Sequence, residues 1–236
     1  MFPERLNHKW LHAAIATIGL AALPLFAAID LRLASYFYDE TCQCFPAAAL
    51  IWLHRFDGFI AWAGRLATPV MLTLILFFWW RSSGDKQVFG RLQVTARYRR
   101  SIRALGFMLA LGVLTPLLLI HEVIKPEIGR ARPRDIESFA GSQAFTPAWV
   151  RSTACTRNCS FTSGHAAFGA WVMSAWYVGR RRRGLWLGLA GALTVVIGWS
   201  RMAQGAHFFS DVIGSLLLVW LTAQVLAALP YFRSRS

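Results

Sequence analysis

The sequence predicts an all-α fold, a polytopic membrane protein with six transmembrane helices. Composition is the first reason. Hydrophobic residues make up 56% of the chain and charged residues only 15%, against about 45–50% and about 25% for ordinary soluble domains. The second reason is that the apolar residues gather into six stretches, and the third is that basic residues collect between them on alternate sides. Eleven Trp and 17 Phe exclude a disordered or fibrous chain, and the length leaves room for a single membrane domain, 1–236, and little else.

The first stretch, residues 10–28, could be a cleaved signal peptide. It exceeds the usual apolar region of about 7–15 residues, so it is read as the first span. Residues 47–56 are apolar but short and fit an interfacial helix on the outer surface. The second span, 59–80, carries Arg65, whose charge would cost about 2.5–3.5 kcal/mol at the bilayer centre. Arg65 is therefore expected near the outer end, snorkelling or facing the bundle. Residues 104–120 form the third span. The fourth and fifth, 164–179 and 185–199, fall short of the ~20 residues a crossing needs and require polar residues at their ends to extend them. Residues 212–229 form the sixth.

Four segments, 1–9, 81–103, 180–183 and the tail with Arg233 and Arg235, hold 15 basic residues and two acids, while the remainder holds 10 basic and nine acidic. Short cytoplasmic loops collect Lys and Arg. Both termini are thus predicted in the cytoplasm, with 30–57, 121–163 and 200–211 on the periplasmic face. The same bias explains the net charge of +14 as topological anchoring, so no nucleic-acid partner is expected. Cys42, Cys44, Cys155 and Cys159 all fall on the outer side, which suits an oxidising compartment. Four cysteines allow three pairings, and sequence does not choose among them. Their spacing lacks a paired metal-ligand pattern, so neither metal nor cofactor is expected.

Polar residues concentrated on one face of a membrane protein are functional candidates. Three clusters qualify: Lys125 to Pro133 with Arg132, Ser160 to His165, and Ser200-Arg201 followed by His207 and Asp211. Lys125, Arg132 and Arg201 offer cations suited to an anion with several oxygens. Ser163 and Gly164 precede an apolar helix, whose free N–H groups would point at the same anion, and Gly164 allows close backbone approach. Such donors stabilise charge in phosphoryl transfer. His207 and Asp211 lie four apart, on one helical face. Asp211 would fix the tautomer of His207 and leave its other nitrogen to attack phosphorus. His165 would protonate the leaving oxygen. Each residue alone has an ordinary role as snorkel, surface charge or helix cap; their recurrence on one face argues for the joint one.

The clusters resemble the three-part signature of the type 2 phosphatidic acid phosphatase superfamily, K-x6-R-P, P-S-G-H and S-R-x5-H-x3-D. Lys125, Arg132 and Pro133 match the first, Ser163, Gly164 and His165 the second, and Ser200, Arg201, His207 and Asp211 the third. Thr162 stands where the family usually has Pro. The motif core covers 125–211. The resemblance implies a metal-independent hydrolase of phosphoric ester or anhydride bonds in a bacterial inner membrane, acting on a lipid phosphate such as lipid A, undecaprenyl pyrophosphate or phosphatidylglycerophosphate. It implies His207 as nucleophile, Asp211 as its orienting partner, His165 as general acid, and Lys125, Arg132, Ser163, Gly164 and Arg201 around the phosphate. Rival readings are a phosphotransferase between lipids and a non-enzymatic anionic-lipid binding or transport protein.

Residues 121–163 are read as a long loop, in which Gly141, Pro147, Trp149 and the two cysteines could shape a headgroup rim. Arg130 and Arg134 could meet further anionic groups or be solvated charges.

Overall fold

The computed structural model describes residues 3–84, 91–179 and 182–232, and among these it is all-helical, without strands. Helix α1 (Pro3–Ala22) passes through a 3-10 turn, Leu23–Phe26, and resumes as α2 (Ala27–Phe37). Pro24 explains the turn: lacking an N–H, it leaves the Leu20 carbonyl unpaired in the helical ladder. The Trp149 indole N–H donates to that carbonyl at 2.8 Å, and the ring packs edge-on against Phe161. Trp149 thus braces α1 and does not form a headgroup rim. The first apolar helix runs from Trp10 to Phe37, well beyond residue 28, and takes Asp30 into its buried face.

Helix α3 (Ile51–Gly84) has 34 residues and is about 51 Å long at the usual rise. Residues 47–56 form no separate interfacial helix, because a 3-10 turn, Pro46–Ala49, leads straight into α3. Trp52, Phe59, Trp62, Leu76 and Trp80 are exposed along it, as expected of side chains that face lipid.

Helix α4 (Arg91–Gly112) pairs with α3 and widens into a π-helical stretch, Val113–Ile124, before α5 (Lys125–Ile128). Local π geometry accommodates Pro116, whose missing N–H would interrupt a regular ladder. The helical path therefore includes His121, Glu122 and Lys125, whose polarity had suggested a loop from residue 121. They line a cavity instead, and the loop begins only at Gly129.

Helices α6 (Gly164–Trp171) and α7 (Ser174–Val178) are short and separated by a turn, where the fourth span was expected. They are followed by α8 (Arg183–Ala203) and α9 (Phe209–Ala228). Five helical segments among the described residues are long and apolar enough to cross a membrane, and α6–α7 is not one of them. Helix α9 is the centre of the bundle: its most apolar window is 50% buried against 11% for α3, and it packs on α1, α6 and α8. Small residues make this possible. Ala166, Ala167 and Ala170 of α6 are fully buried. A Cβ on Gly198 of α8 would stand 2.5 Å from Val212 of α9, the close approach typical of membrane helix pairs.

At one end of the bundle a second apolar cluster, including Phe45, Ala131, Ile136, Phe139 and Phe208, anchors the long loop. Both disulfides are local, Cys42–Cys44 and Cys155–Cys159, and the latter staples the loop before α6.

Candidate active site

A cavity of about 1060 Å³ opens between α3, the π-helical stretch, α6 and the 156–158 loop. Lys125, Arg132, Gly164, His165, Arg201 and His207 all line it, together with His121 and Glu122. Three clusters far apart in sequence thus meet at one void.

His207 precedes α9 and is only 3% exposed. Its Nδ1 stands 3.5 Å from Asp211 Oδ2, long for a hydrogen bond but on the side that orients the ring. The residue itself lines the cavity. Burial pushes the imidazole well below its ordinary 6.5, with Asp211 opposing the shift. The ring is accordingly held neutral.

Asp211 lies behind His207, outside the cavity lining. It is fixed by Arg130 Nη1 at 2.6 Å, Ser160 Oγ at 2.5 Å and the Phe208 backbone N–H at 2.8 Å. The last contact follows from its place in the first turn of α9, where a carboxylate satisfies an orphan N–H.

Arg130 differs from its expected role. It is completely buried, donates to Asp30 at 2.8 Å, to Ser210 Oγ at 2.9 Å and to the Thr146 carbonyl at 2.8 Å, and lies 4.2 Å from the Phe208 ring centre. It is thus the counter-charge of two buried carboxylates and no headgroup contact. Asp30 in turn accepts the Ser210 N–H at 2.8 Å and its hydroxyl at 2.6 Å. Arg134 remains a half-exposed loop charge near Asp135.

The cations are held differently. Lys125, 3% exposed, donates its ammonium to the Cys159 carbonyl, and Arg132 Nη2 donates to the Asn158 carbonyl at 2.7 Å. Both acceptors lie in the disulfide-closed loop. Arg201 pairs with Asp57 of α3, which also accepts Gln204 Nε2 at 2.8 Å and Ser200 Oγ at 3.3 Å. Arg201 Nε is buried without a hydrogen-bond partner.

Ser163 is not in the cavity lining. Its hydroxyl caps α6 by accepting the Ala166 N–H at 3.4 Å. Gly164, the first residue of α6, cannot carry a Cβ without standing 2.7 Å from His121 Nε2. Among the described residues no three His, Cys, Asp or Glu side chains gather as metal ligands.

Sequence reasoning missed Asp30, Asp57 and the role of Arg130. The signal was present, since acids inside or beside apolar stretches are rare and need partners.

Fold and site define a helical membrane protein that gathers three histidines and several cations around a space fit for an oxyanion. The chain belongs to the PAP2 superfamily, whose sequence profile matches residues 101–235. It is 30% identical over 209 residues to a lipid A 4'-phosphatase of Francisella tularensis subsp. novicida, covering 88% of each chain. A lipid A 4'-phosphatase of Rhizobium etli is 27% identical, with 89% of this chain and 80% of that one covered. One from Rhizobium leguminosarum is 34% identical over 129 residues, 53% of this chain and 54% of that one. A transmembrane PAP2-type phosphatidylglycerolphosphate phosphatase from Bacillus subtilis overlays with a TM-score of 0.38 at 21% identity, covering 87% of this chain and 94% of that one, too loosely to bear on the fold.

Proposed function

We propose that this protein is a membrane phosphatase that hydrolyses lipid-linked phosphate through a phosphohistidine at His207. The observation that carries the reading is the single cavity shared by His207, His165, Lys125, Arg132 and Arg201, with Asp211 behind the nucleophile. Neutral His207 Nε2 attacks phosphorus and forms a P–N bond as the ester P–O bond breaks. His165, whose protonated form is favoured by the charge of the bound phosphate, gives a proton to the departing lipid oxygen. Water then attacks the phosphohistidine, His165 takes a proton from it, and the P–N bond returns its electrons to His207. Lys125, Arg132 and Arg201 Nε grip the equatorial oxygens, assisted by the N–H groups that open α6 at Gly164. Ser163 contributes by fixing that helix end.

The topology completes the proposal. Helices α6 and α7 together serve as the fourth of six crossings, about 22 Å long, and the basic segments keep both termini in the cytoplasm. The cavity then faces the periplasm of a bacterial inner membrane. The lipid A 4'-phosphatases among the relatives favour a large glycolipid headgroup over the smaller candidates.

Purified protein in detergent should release inorganic phosphate from such a lipid. With a radiolabelled phosphate it should also yield a base-stable, acid-labile phosphoprotein. His207→Ala should abolish both; turnover that survives this change rejects the mechanism.

A further inference from the structure

Behind His207 two carboxylates share one guanidinium. Arg130 Nη1 donates to Asp211 Oδ1 at 2.6 Å and Nη2 to Asp30 Oδ2 at 2.8 Å. The donor fork is split between two acids, whereas a carboxylate alone with an arginine tends to take both of its arms. The split leaves Asp211 Oδ2 to the Ser160 hydroxyl, the Phe208 N–H and the His207 edge. Asp30 is met by three donors, Arg130 Nη2 and the N–H and hydroxyl of Ser210, the surroundings that suit an ionised carboxylate. All three side chains are fully buried, where charges are little screened.

Charge balance gives Asp30 a use beyond packing. Arg130 and Asp211 alone sum to zero, and a neutral pair does little for a positive ring beside it. With Asp30 the group keeps one net negative charge. In the phosphatase reading, His207 Nε2 forms the P–N bond as the ester P–O bond breaks, Nδ1 keeps its proton, and the ring becomes positive. Lys125 and Arg201 face His207 and oppose that charge, and Arg132 shares the same cavity. The favourable field has to come from behind, where Asp211 stands.

We propose that Asp30 is a positioning residue for phosphoryl transfer: it holds the Arg130 guanidinium off the Asp211 oxygen that faces His207 and leaves the group behind His207 negative. This rests on the phosphatase reading and gives the first apolar helix, Trp10 to Phe37, a part in the chemistry from outside the three motifs.

The test measures the single-turnover rate of lipid dephosphorylation and its dependence on enzyme concentration, which separates chemistry from binding. Asp30→Asn keeps the shape and removes the charge. It should slow the chemical step about tenfold and leave half-saturation unchanged. Adding Arg130→Met restores one negative charge, that of Asp211, still held by Ser160 and the Phe208 N–H, and should recover part of the rate. A residue that only props the fold gives the reverse order, the double variant slower than the single. Should Asp30→Asn fail to fold, the double variant decides: a rate nearer wild type than Asp211→Asn supports the proposal, and a rate as low as Asp211→Asn overturns it. An unchanged rate in folded Asp30→Asn, or a double variant no faster than the single, also overturns it. Absence of phosphate release by wild type would overturn the phosphatase reading itself, a separate result.

Discussion

The two sides of the cavity are built on opposite electrostatic plans. Behind His207, every charge answers another charge: Arg130 lies between Asp30 and Asp211, fully buried. On the facing side, Lys125 and Arg132 lean on neutral carbonyls of the 155–159 loop. A carboxylate partner would cancel much of their field, whereas a carbonyl fixes position and leaves the positive charge for an incoming anion. His207 thus has one enforced surrounding, and Lys125 and Arg132 keep their charge. Arg201 is intermediate, tied to Asp57 through Nη1 while its Nε stays free of protein partners.

Removing Arg130 should break the contrast most severely. Arg130→Met leaves two carboxylates buried without a cation, and loss of one member of such a group costs about 3–5 kcal/mol. Thermal unfolding in detergent should show a large drop. The double change Arg130→Met with Asp30→Asn should recover part of it. Equal melting of wild type and Arg130→Met would show that the network holds nothing in place.

The pH profile sharpens the same side. A buried His207 with a lowered pKa stays neutral and nucleophilic into acid. The acid limb of kcat/KM reports groups of the free enzyme, so the limb due to His207 should lie below pH 6.5. A limb at or above that value, absent from the slow residual rate of an Asp211→Asn variant, would mean the burial does not act as described.

On the cation side, the Cys155–Cys159 staple should matter through substrate binding. Cys155→Ser with Cys159→Ser should raise KM about tenfold, comparable to one weakened charge-assisted contact, and leave thermal stability near wild type. Removal of Cys42–Cys44, remote from those carbonyls, is the control and should not change KM. The smallest effect is expected at Gly164→Ala. Its Cβ meets one edge of the His121 ring, Nε2 at 2.7 Å and Cε1 at 3.3 Å, so a loss of several-fold is expected, restored by His121→Ala.

Sequence revealed the residues facing the cavity better than those supporting them. His165, His207, Lys125, Arg132 and Arg201 are conspicuous because such groups are rare in an apolar chain, and all five line the cavity. Ser163 was visible as a residue but does its work as a cap. Arg130 looked like loop charge, because its partners lie at residues 30 and 211 and only packing brings them near. The start of the loop was misjudged for a related reason. His121 and Glu122 have loop-like polarity, but a helix that borders a polar cavity can carry such residues. Trp149 was similarly illegible, since its use depends on the carbonyl left open by Pro24.

The bridge from Asp30 through Arg130 to Asp211 also has a bearing on biogenesis. Its three members enter the bilayer at widely different times during translation, and until α9 threads into place Arg130 has only half of its counter-ions. The carboxylate that orients His207 therefore gains its full setting only with the last helix of the bundle.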